Sequence, residues 1–586
     1  MEQLIRLIQV ERIDDLPLLL AQLERMQVAA LLDKHFPVHG PWAGALTFGE
    51  VAVVWVAAIV SEGDHRLNHV ETWASEHLQT LTACLGKRVR AVDCSDDRLG
   101  DLLEALSDVK AWREFEVELN QSLLRVYDVP SETVRLDSTT TKTYAGVEEN
   151  GLFQFGHSKD HRPDLAQVKV NLSTLDPLGL PLTTTVVSGN CADDPLYVPE
   201  IKAVQRTLGC GGKTYIGDCK MGAEATRAYV ASSQDYYLCP LAGTQMPAAA
   251  LAQLITPATI GAHALTPITV PSGGTRKKAE TVAEGYEMEG EVEAEVDGQR
   301  IVWRERRLVV RSLVQAAQQS QGLETRLRHA HHELAQLNER KQGKKRLSES
   351  ELCAKADSIV ARQRVTGLLR LEVATVQTQT PVRRYRGREA RVKEEQYSRV
   401  NAHTDAAAVA AAKELFGWHV YATNHRAAYW PLALVVLAYR AQYVVERGFG
   451  RLKGKALAVS PLFLRKDNRV VGLLHVLVIA LRVLTLLEFV VRRQLKEEGA
   501  ELGGLYCGNP KRATARPTSE RLLEAFEGVN LTWVEVAGQV VELLSPLSPL
   551  QERILQLLGF SSEIYVRLVH QFSSLQVLQF PKPAPT

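Results

Sequence analysis

Through the first 130 residues, apolar positions recur at three-and-four spacing (Leu19, Leu23 and Met26; later Leu102, Leu103 and Leu106) with few β-branched clusters, which predicts helices. The longest apolar runs, Val51–Val60 and the stretch around Leu473–Leu481, fall short of the ~20 residues a bilayer crossing needs, and His475 and Arg482 interrupt the second. Both read as buried helices. Between Ser131 and Leu241 short apolar strands alternate with amphipathic helices. Thr133–Leu136 leads into Asp137, and Val168–Leu175 and Leu180–Val187 are joined by the turn Asp176-Pro177-Leu178-Gly179. A helix starts with Asp194 as N-cap and Pro195 at its first position; Thr214–Gly217 is a strand ending at Asp218, Ala223–Ala231 a helix and Tyr236–Leu241 a strand. The order β-β-β-α-β-α-β predicts a mixed sheet covered by helices.

From Ala242 to about Leu415 the period changes again. Glu291–Val310 alternates apolar with polar residues and turns at Asp297-Gly298, a β-hairpin. Leu323, Leu327, Ala330, Leu334 and Leu337 predict one arm of a helical hairpin, and Ser348 with Glu351 is a capping box that opens the second. A basic run follows, Arg383, Arg384, Arg386, Arg388, Arg391 and Lys393, reading as a charged surface. Trp418–Thr423 is a strand that resumes the sheet. Tyr439–Lys453 has no proline and predicts one helix, with Tyr439, Gln442, Glu446, Gly450 and Lys453 along one side and Val444, Val445, Phe449 and Leu452 supplying its packing. Arg469–Leu487 is a long buried helix; Ser519 onward is helical and ends in the Pro-rich tail FPKPAPT, expected to be disordered. The expected segments are 1–130, 131–241, 242–415, 416–490 and 491–586.

At 586 residues the chain is long enough for three or four domains. The formal net charge of +1 is silent about nucleic acid, since a total can hide a basic face. Eight cysteines without a C-x-x-C pair, and without histidines at zinc spacing, predict reduced thiols in a cytosolic compartment and no structural zinc. The N-terminal MEQLIRLIQVERIDD carries acids where a signal peptide needs a basic start.

Asp137 and Asp218 each follow a short apolar strand, in VRLDST and YIGDCK. Carboxylates at the ends of adjacent strands project from one sheet edge, where a shared cation relieves their repulsion; the pair is a candidate Mg²⁺ site. Glu446, on a helix packed against that sheet, would add the third acid of a two-metal site with its ions ~4 Å apart, the arrangement that serves phosphodiester chemistry.

The stretches RLDSTTTKTY, FGHSKDHRPDLAQVKV, GNCADDPLY, YIGDCKMGA and YRAQYVVERGFGRLKG resemble those of bacterial insertion-sequence transposases of the DDE type. FPVHGPWAGALTFGE and SEGDHRLNHVETW extend the resemblance toward the N-terminus. It implies an α/β catalytic core, a ribonuclease-H-like mixed sheet with flanking helices. A β-hairpin and helical-hairpin insertion interrupts that core, a helical DNA-binding region precedes it and a helical C-terminal region follows. It implies Asp137, Asp218 and Glu446 as metal-binding catalytic acids, Mg²⁺ (with Mn²⁺ substituting) as cofactor, and cut-and-paste transposition by cleavage at element ends and strand transfer. The partners implied are double-stranded DNA, as terminal inverted repeats and target, and a second copy in a synaptic homodimer, in a bacterial, nucleoid-associated setting. The signature Y-x2-R-x3-E-x6-K is matched at Tyr439, Glu446 and Lys453, but Gln442 stands at the Arg position and cannot supply its charge. Arg440 and Arg447 are the neighbouring substitutes. Two readings stand for Trp303: packing, or stacking on a flipped base. Lys159, His161 and Arg162 read either as phosphate contacts or as partners of Asp160 and Asp164. Arg447, Arg451, Lys453 and Lys455 are candidates for gripping the DNA backbone. A structure-specific nuclease on the same core is the rival enzyme. An inactive DNA-binding protein is the rival without chemistry, and the three intact acids argue against it.

Other motifs lead nowhere. Gly211-Gly212-Lys213-Thr214 lacks the first glycine of a P-loop, Thr207 standing there. His329, His331 and His332 read as a solvated face, and Asp193 and Asp194 as helix caps before Pro195.

Overall fold

The computed structural model describes residues 5–37, 42, 44–259, 261–270, 280–339, 346–382, 391–509, 511–536 and 538–570. The chain forms two compact units, one from Met1–Cys239, Glu293–Val302 and Ala438–Thr586, the other from Pro240–Val292 and Trp303–Leu437.

The first unit opens with a strand, β1 (Ile5–Arg12), followed by helices α1 (Leu16–Arg25), α2 (Val28–His35), α3 (Phe48–Glu62), α4 (Leu67–Glu76), α5 (Leu78–Leu85), α6 (Asp96–Leu106) and α7 (Val109–Tyr127). A Thr47/Glu50 capping box starts α3 and Gly63, at φ 64°, ends it. The chain then follows the expected order: β2 (Thr133–Thr143), β3 (Ala166–Leu175), β4 (Leu180–Ser188), α8 (Tyr197–Leu208), β5 (Thr214–Ile216), α9 (Glu224–Ser232) and β6 (Tyr236–Pro240). These strands lie in the order β4-β3-β2-β5-β6, antiparallel across β4, β3 and β2 and parallel across β2, β5 and β6, a mixed sheet flanked by helices.

The second unit contains α10 (Ala248–Thr259), β7 (Thr266–Val270), β8 (Glu280–Val296), β9 (Gln299–Ser312), α11 (Leu313–Leu337), α12 (Glu349–Arg362), β10 (Leu369–Val382), β11 (Arg391–Thr404), α13 (Ala406–Glu414) and β12 (Trp418–Thr423). The tip of the β8–β9 hairpin, at 293–302, falls with the first unit. Asp297 (φ 48°) and Gly298 (φ 78°) make the hairpin turn expected between β8 and β9. The Ser348/Glu351 capping box opens α12, whose Leu352, Ala356 and Ile359 pack with Leu323, Leu327 and Leu334 of α11. The helical hairpin is followed by a second β-hairpin, β10 with β11, where the sequence suggested only a charged surface. Arg383, Arg384, Arg386 and Arg388 of that run, residues 38–41 and 43 of FPVHGPWAGALTFGE, and the tail FPKPAPT lie outside the described residues. β12 pairs with β9 inside this unit, so the unit boundary falls after Leu437 rather than at 415.

The boundary lies within α14 (Leu432–Arg440). Beyond it come α15 (Tyr443–Lys453), α16 (Asp467–Glu498), α17 (Ser519–Glu524), β13 (Asn530–Val536), β14 (Gln539–Leu544), α18 (Pro549–Leu558) and α19 (Glu563–His570). Among the described residues α16 alone is long and apolar enough to cross a membrane, and 94% of its most apolar stretch is buried in the protein, as in a core helix. Gly472 lets it touch α6: a Cβ there would meet the Leu103 carbonyl oxygen at 2.1 Å. The all-helical expectation for both chain ends is corrected by β1, β13 and β14, which form one antiparallel sheet. The pairing of β1 with a strand at the far end of the chain is not something a local pattern reveals.

Candidate active site

β2 is longer than its apolar start suggested. It pairs with β3 from Val134↔Leu175 to Thr143↔Ala166, so Asp137 lies inside the strand and not at its end. The β-branched run Thr139-Thr140-Thr141 sustains the ladder. β2 also runs parallel to β5 in the register Thr133↔Thr214, Val134↔Tyr215 and Arg135↔Ile216. Two steps further, that register sets Asp137 level with Asp218, just past the end of β5.

The two carboxylates feel each other. Burial raises the Asp137 carboxyl above its ordinary value; Lys159 and the Ser138 N–H pull it back, and the charge of Asp218 adds to the rise. The Lys159 ammonium donates to Asp137 Oδ1 at 3.3 Å and to the Ser138 hydroxyl at 3.0 Å. Asp218 Oδ1 accepts from the Tyr197 hydroxyl at 2.6 Å and from the Lys220 N–H at 2.8 Å. Burial above all, with the nearby charges of Asp218, Asp137 and Asp193, pushes the Tyr197 phenol well above its usual range, so it stays a donor.

Asp193 is not the helix cap that the following Pro195 predicts. Its side chain caps nothing and accepts from the Ser138 hydroxyl at 3.0 Å and from the Lys169 ammonium at 2.8 Å. Burial alone would raise its carboxyl, but Lys169, Ser138 and Lys159 outweigh burial and hold it below the ordinary value. Nor does Asp194 cap α8: its carboxylate pairs loosely with Lys220, at 3.7 Å. Asp137, Ser138, Asn171, Asp193 and Tyr197 line a pocket of about 20 Å³, room for one water-sized occupant. Asn171 is 5% exposed, and among the described residues neither atom of its amide finds a partner.

The helix expected over Tyr439–Lys453 is broken at Ala441-Gln442. Arg135, fully buried on β2, donates to the Ala438 carbonyl at 2.6 Å, the oxygen that Gln442 N–H would take in an unbroken α-helix. Gln442 N–H turns to Tyr439 instead, and the chain tightens to i−3 bonds through Val445. Glu446 lies in the first turn of α15 on its exposed side, while Val444, Val445, Phe449 and Leu452 face inward. The structure brings Asp137 and Asp218 together but does not close Glu446 onto them: among the described residues no group of three acids, histidines or cysteines could hold a metal ion as they stand.

The basic candidates divide. Arg451, read as a DNA contact, is 7% exposed and bonded to Glu488, Ser519 and Glu520, so burial removes it from any ligand. Arg447 pairs with Glu488 at 2.7 Å, which leaves the exposed Arg440 as the available substitute for charge at the Gln442 position. Arg162 pairs with Asp164 at 2.6 Å, as the pairing reading has it, but Asp160 takes Lys453 at 2.6 Å and Lys159 turns to Asp137. His161 is exposed, at φ 55°. Lys455 is exposed, and Tyr439 and Gln442 are half-buried. Trp303 is 8% exposed within β9.

Sequence reasoning missed Tyr197, Lys169 and Asn171. The first was visible in GNCADDPLY as the residue opening α8, but its hydrogen bond crosses to a strand end that local pattern does not reveal. What fold and site define is a mixed α/β protein with a half-buried aspartate pair on neighbouring parallel strands. The hard carboxylate oxygens of that pair fit a divalent cation such as Mg²⁺, which one or two carboxylates commonly hold together with water and phosphate. No family model matches the chain, and no curated protein does. Among solved structures it is similar to piggyBac transposase, seen by cryo-EM in a synaptic complex with hairpin DNA, at 8% identity and a TM-score of 0.35 over 99% of this chain and 89% of that one. A likeness at that level assigns no residue a role.

Proposed function

We propose that this chain is a DNA transposase of the DDE type that cleaves element ends and transfers the freed strand into target DNA. The observation that carries the reading is the aspartate pair: Asp137 and Asp218 level on parallel strands, each already oriented by a neighbouring side chain. The resemblance of the motifs around them supplies the class of reaction. Asp137 and Asp218 would hold Mg²⁺ or Mn²⁺, with Glu446 as the third acid contributed by α15. A divalent cation bound by these acids would supply activation of an attacking water or 3′-hydroxyl and stabilisation of the departing oxygen.

The chain's own residues prepare that site. Lys159 balances the charge of Asp137 and would stand beside a phosphate held by the pair. Lys453, through Asp160, ties the end of α15 to the turn that carries Lys159. Arg447 and Arg451 lock α15 to α16 through Glu488, which fixes the helix on which Glu446 stands. Lys455 and Arg440 are the exposed cations of this region suited to DNA backbone.

The test is strand cleavage and transfer with Mg²⁺ on DNA carrying the inverted repeats that flank the reading frame, comparing wild type with Glu446→Gln. Wild type cutting and joining, with the variant binding DNA but doing neither, supports the proposal. Cleavage without joined products points to a nuclease. Equal activity of the two proteins makes Glu446 an ordinary surface residue and removes the three-acid site.

A further inference from the structure

We propose that Tyr197 is a positioning residue for the aspartate pair: it binds one oxygen of Asp218 and leaves the other for a divalent cation shared with Asp137. The inference rests on reading the pair as a metal site. Asp218 Oδ1 is doubly occupied, by the Tyr197 hydroxyl at 2.6 Å and the Lys220 N–H at 2.8 Å, whereas among the described residues Oδ2 accepts no hydrogen bond. One oxygen is thereby anchored and its twin is free, which selects the orientation of a short side chain at a strand end.

Tyr197 is a rigid anchor. It is the first residue of α8 and 7% exposed, and its ring lies against Gly217, where a Cβ would stand 3.1 Å from the ring. That glycine directly precedes Asp218, so ring and carboxylate are registered through one backbone step. One turn along, Glu200 fastens α8 to the sheet by accepting from the hydroxyls of Ser173, Thr183 and Thr185. Packing alone needs only the ring; the hydroxyl is needed for Asp218. A motif that sequence reasoning treated as helix capping, Asp193-Asp194-Pro195-Leu196-Tyr197, thus delivers a donor to one aspartate and, through Asp193 and Ser138, a second set of bonds beside the other.

The experiment is Mn²⁺ binding to the full chain without DNA, followed by electron paramagnetic resonance, for wild type, Tyr197→Phe and Asp137→Asn, with unfolding temperatures measured alongside. Phenylalanine keeps the ring on Gly217. The expected result is that Y197F unfolds with wild type yet binds Mn²⁺ about tenfold more weakly, the order expected for one lost hydrogen bond to a charged group, while D137N loses the site. A Y197F protein that binds Mn²⁺ within twofold of wild type overturns the proposal, whether or not it unfolds earlier, and leaves the metal reading intact if D137N still loses binding. A wild type that binds no better than D137N removes the metal reading and the proposal with it.

Discussion

Glu488 is the perturbation that most directly probes how the candidate site is supported. Its carboxylate is 2% exposed and takes three guanidinium groups: Arg447 at 2.7 Å, Arg492 at 2.6 Å, and Arg451. Glu488→Gln keeps the shape and deletes the charge. Arg451, 7% exposed, would then keep the Glu520 carboxylate at 2.7 Å and the Ser519 hydroxyl, while Arg447 and Arg492 lose the carboxylate they share with it. The crowding is already visible, since burial first and the neighbouring arginines next push Arg492 down to about 10 against the pull of Glu488. Breaking a buried ion pair by removing one partner costs about 3–5 kcal/mol. Arg451 keeps Glu520, and Arg447 and Arg492 are 33% and 22% exposed, so about 3 kcal/mol, the low end, applies. At 1.4 kcal/mol per tenfold, this is roughly a hundredfold loss of hydrogen-exchange protection. The loss should fall on the α15 amides and the adjoining turns of α16, with those of α11 and α12 unaffected. Exchange in α15 within threefold of wild type would refute the idea that this carboxylate holds the helix of Glu446 in place.

Three further outcomes are expected. Burial raises the Asp15 carboxyl to about 7, against the Ser61 hydroxyl that bonds it at 2.6 Å. Because its folded-state value is raised, the stability it contributes is complete below about 3.8 and is lost as pH climbs through about 7, an upper bound of about 4 kcal/mol. Asp15→Asn should therefore be more stable than wild type at pH 8 in urea unfolding and not at pH 4, and an equal gap at both pH values would contradict this. Gly472→Ala drives a methyl into the Leu103 carbonyl at 2.1 Å and should cost about 1–3 kcal/mol, seen as a lower unfolding temperature; no change would mean that α6 and α16 can separate freely. Burial also raises Asp137, so divalent-cation binding should weaken on acidification at a pH above that of an ordinary aspartate, an effect read from Mn²⁺ titrations across pH and absent if the carboxyl titrates normally.

The β-β-β-α-β-α-β stretch was legible because each strand is a short apolar run closed by a turn or a polar residue. The buried helices α3 and α16 were legible from their long apolar runs. What escaped depends on partners distant in sequence. β1 reads as part of a helical region until β13 is placed beside it, and the break at Gln442 falls where Arg135, three hundred residues earlier, bonds a helix carbonyl. β10 opens on the alternation Leu369-Arg370-Leu371-Glu372-Val373, a strand signal that sequence reasoning passed over, while its far half and β11 are polar and lack it. At the candidate site the acids stood out by their strand context, but their companions did not. Asp193 followed by Pro195 carries the same local signal whether its carboxylate caps a helix or reaches across to Ser138. The arginines beside Glu446 looked like DNA contacts because the carboxylate that engages them, Glu488, lies on another helix.

Under the proposed function, Asp137 and Asp218 form a divalent-cation site for DNA strand cleavage. Its most direct test is cleavage of end-repeat DNA by wild type, Asp137→Asn and Asp218→Asn over a range of Mg²⁺ and Mn²⁺ concentrations. Metal-dependent cutting by wild type, with both variants folded, bound to DNA and inactive, is the expected result. Cutting by either variant at the wild-type rate would contradict it.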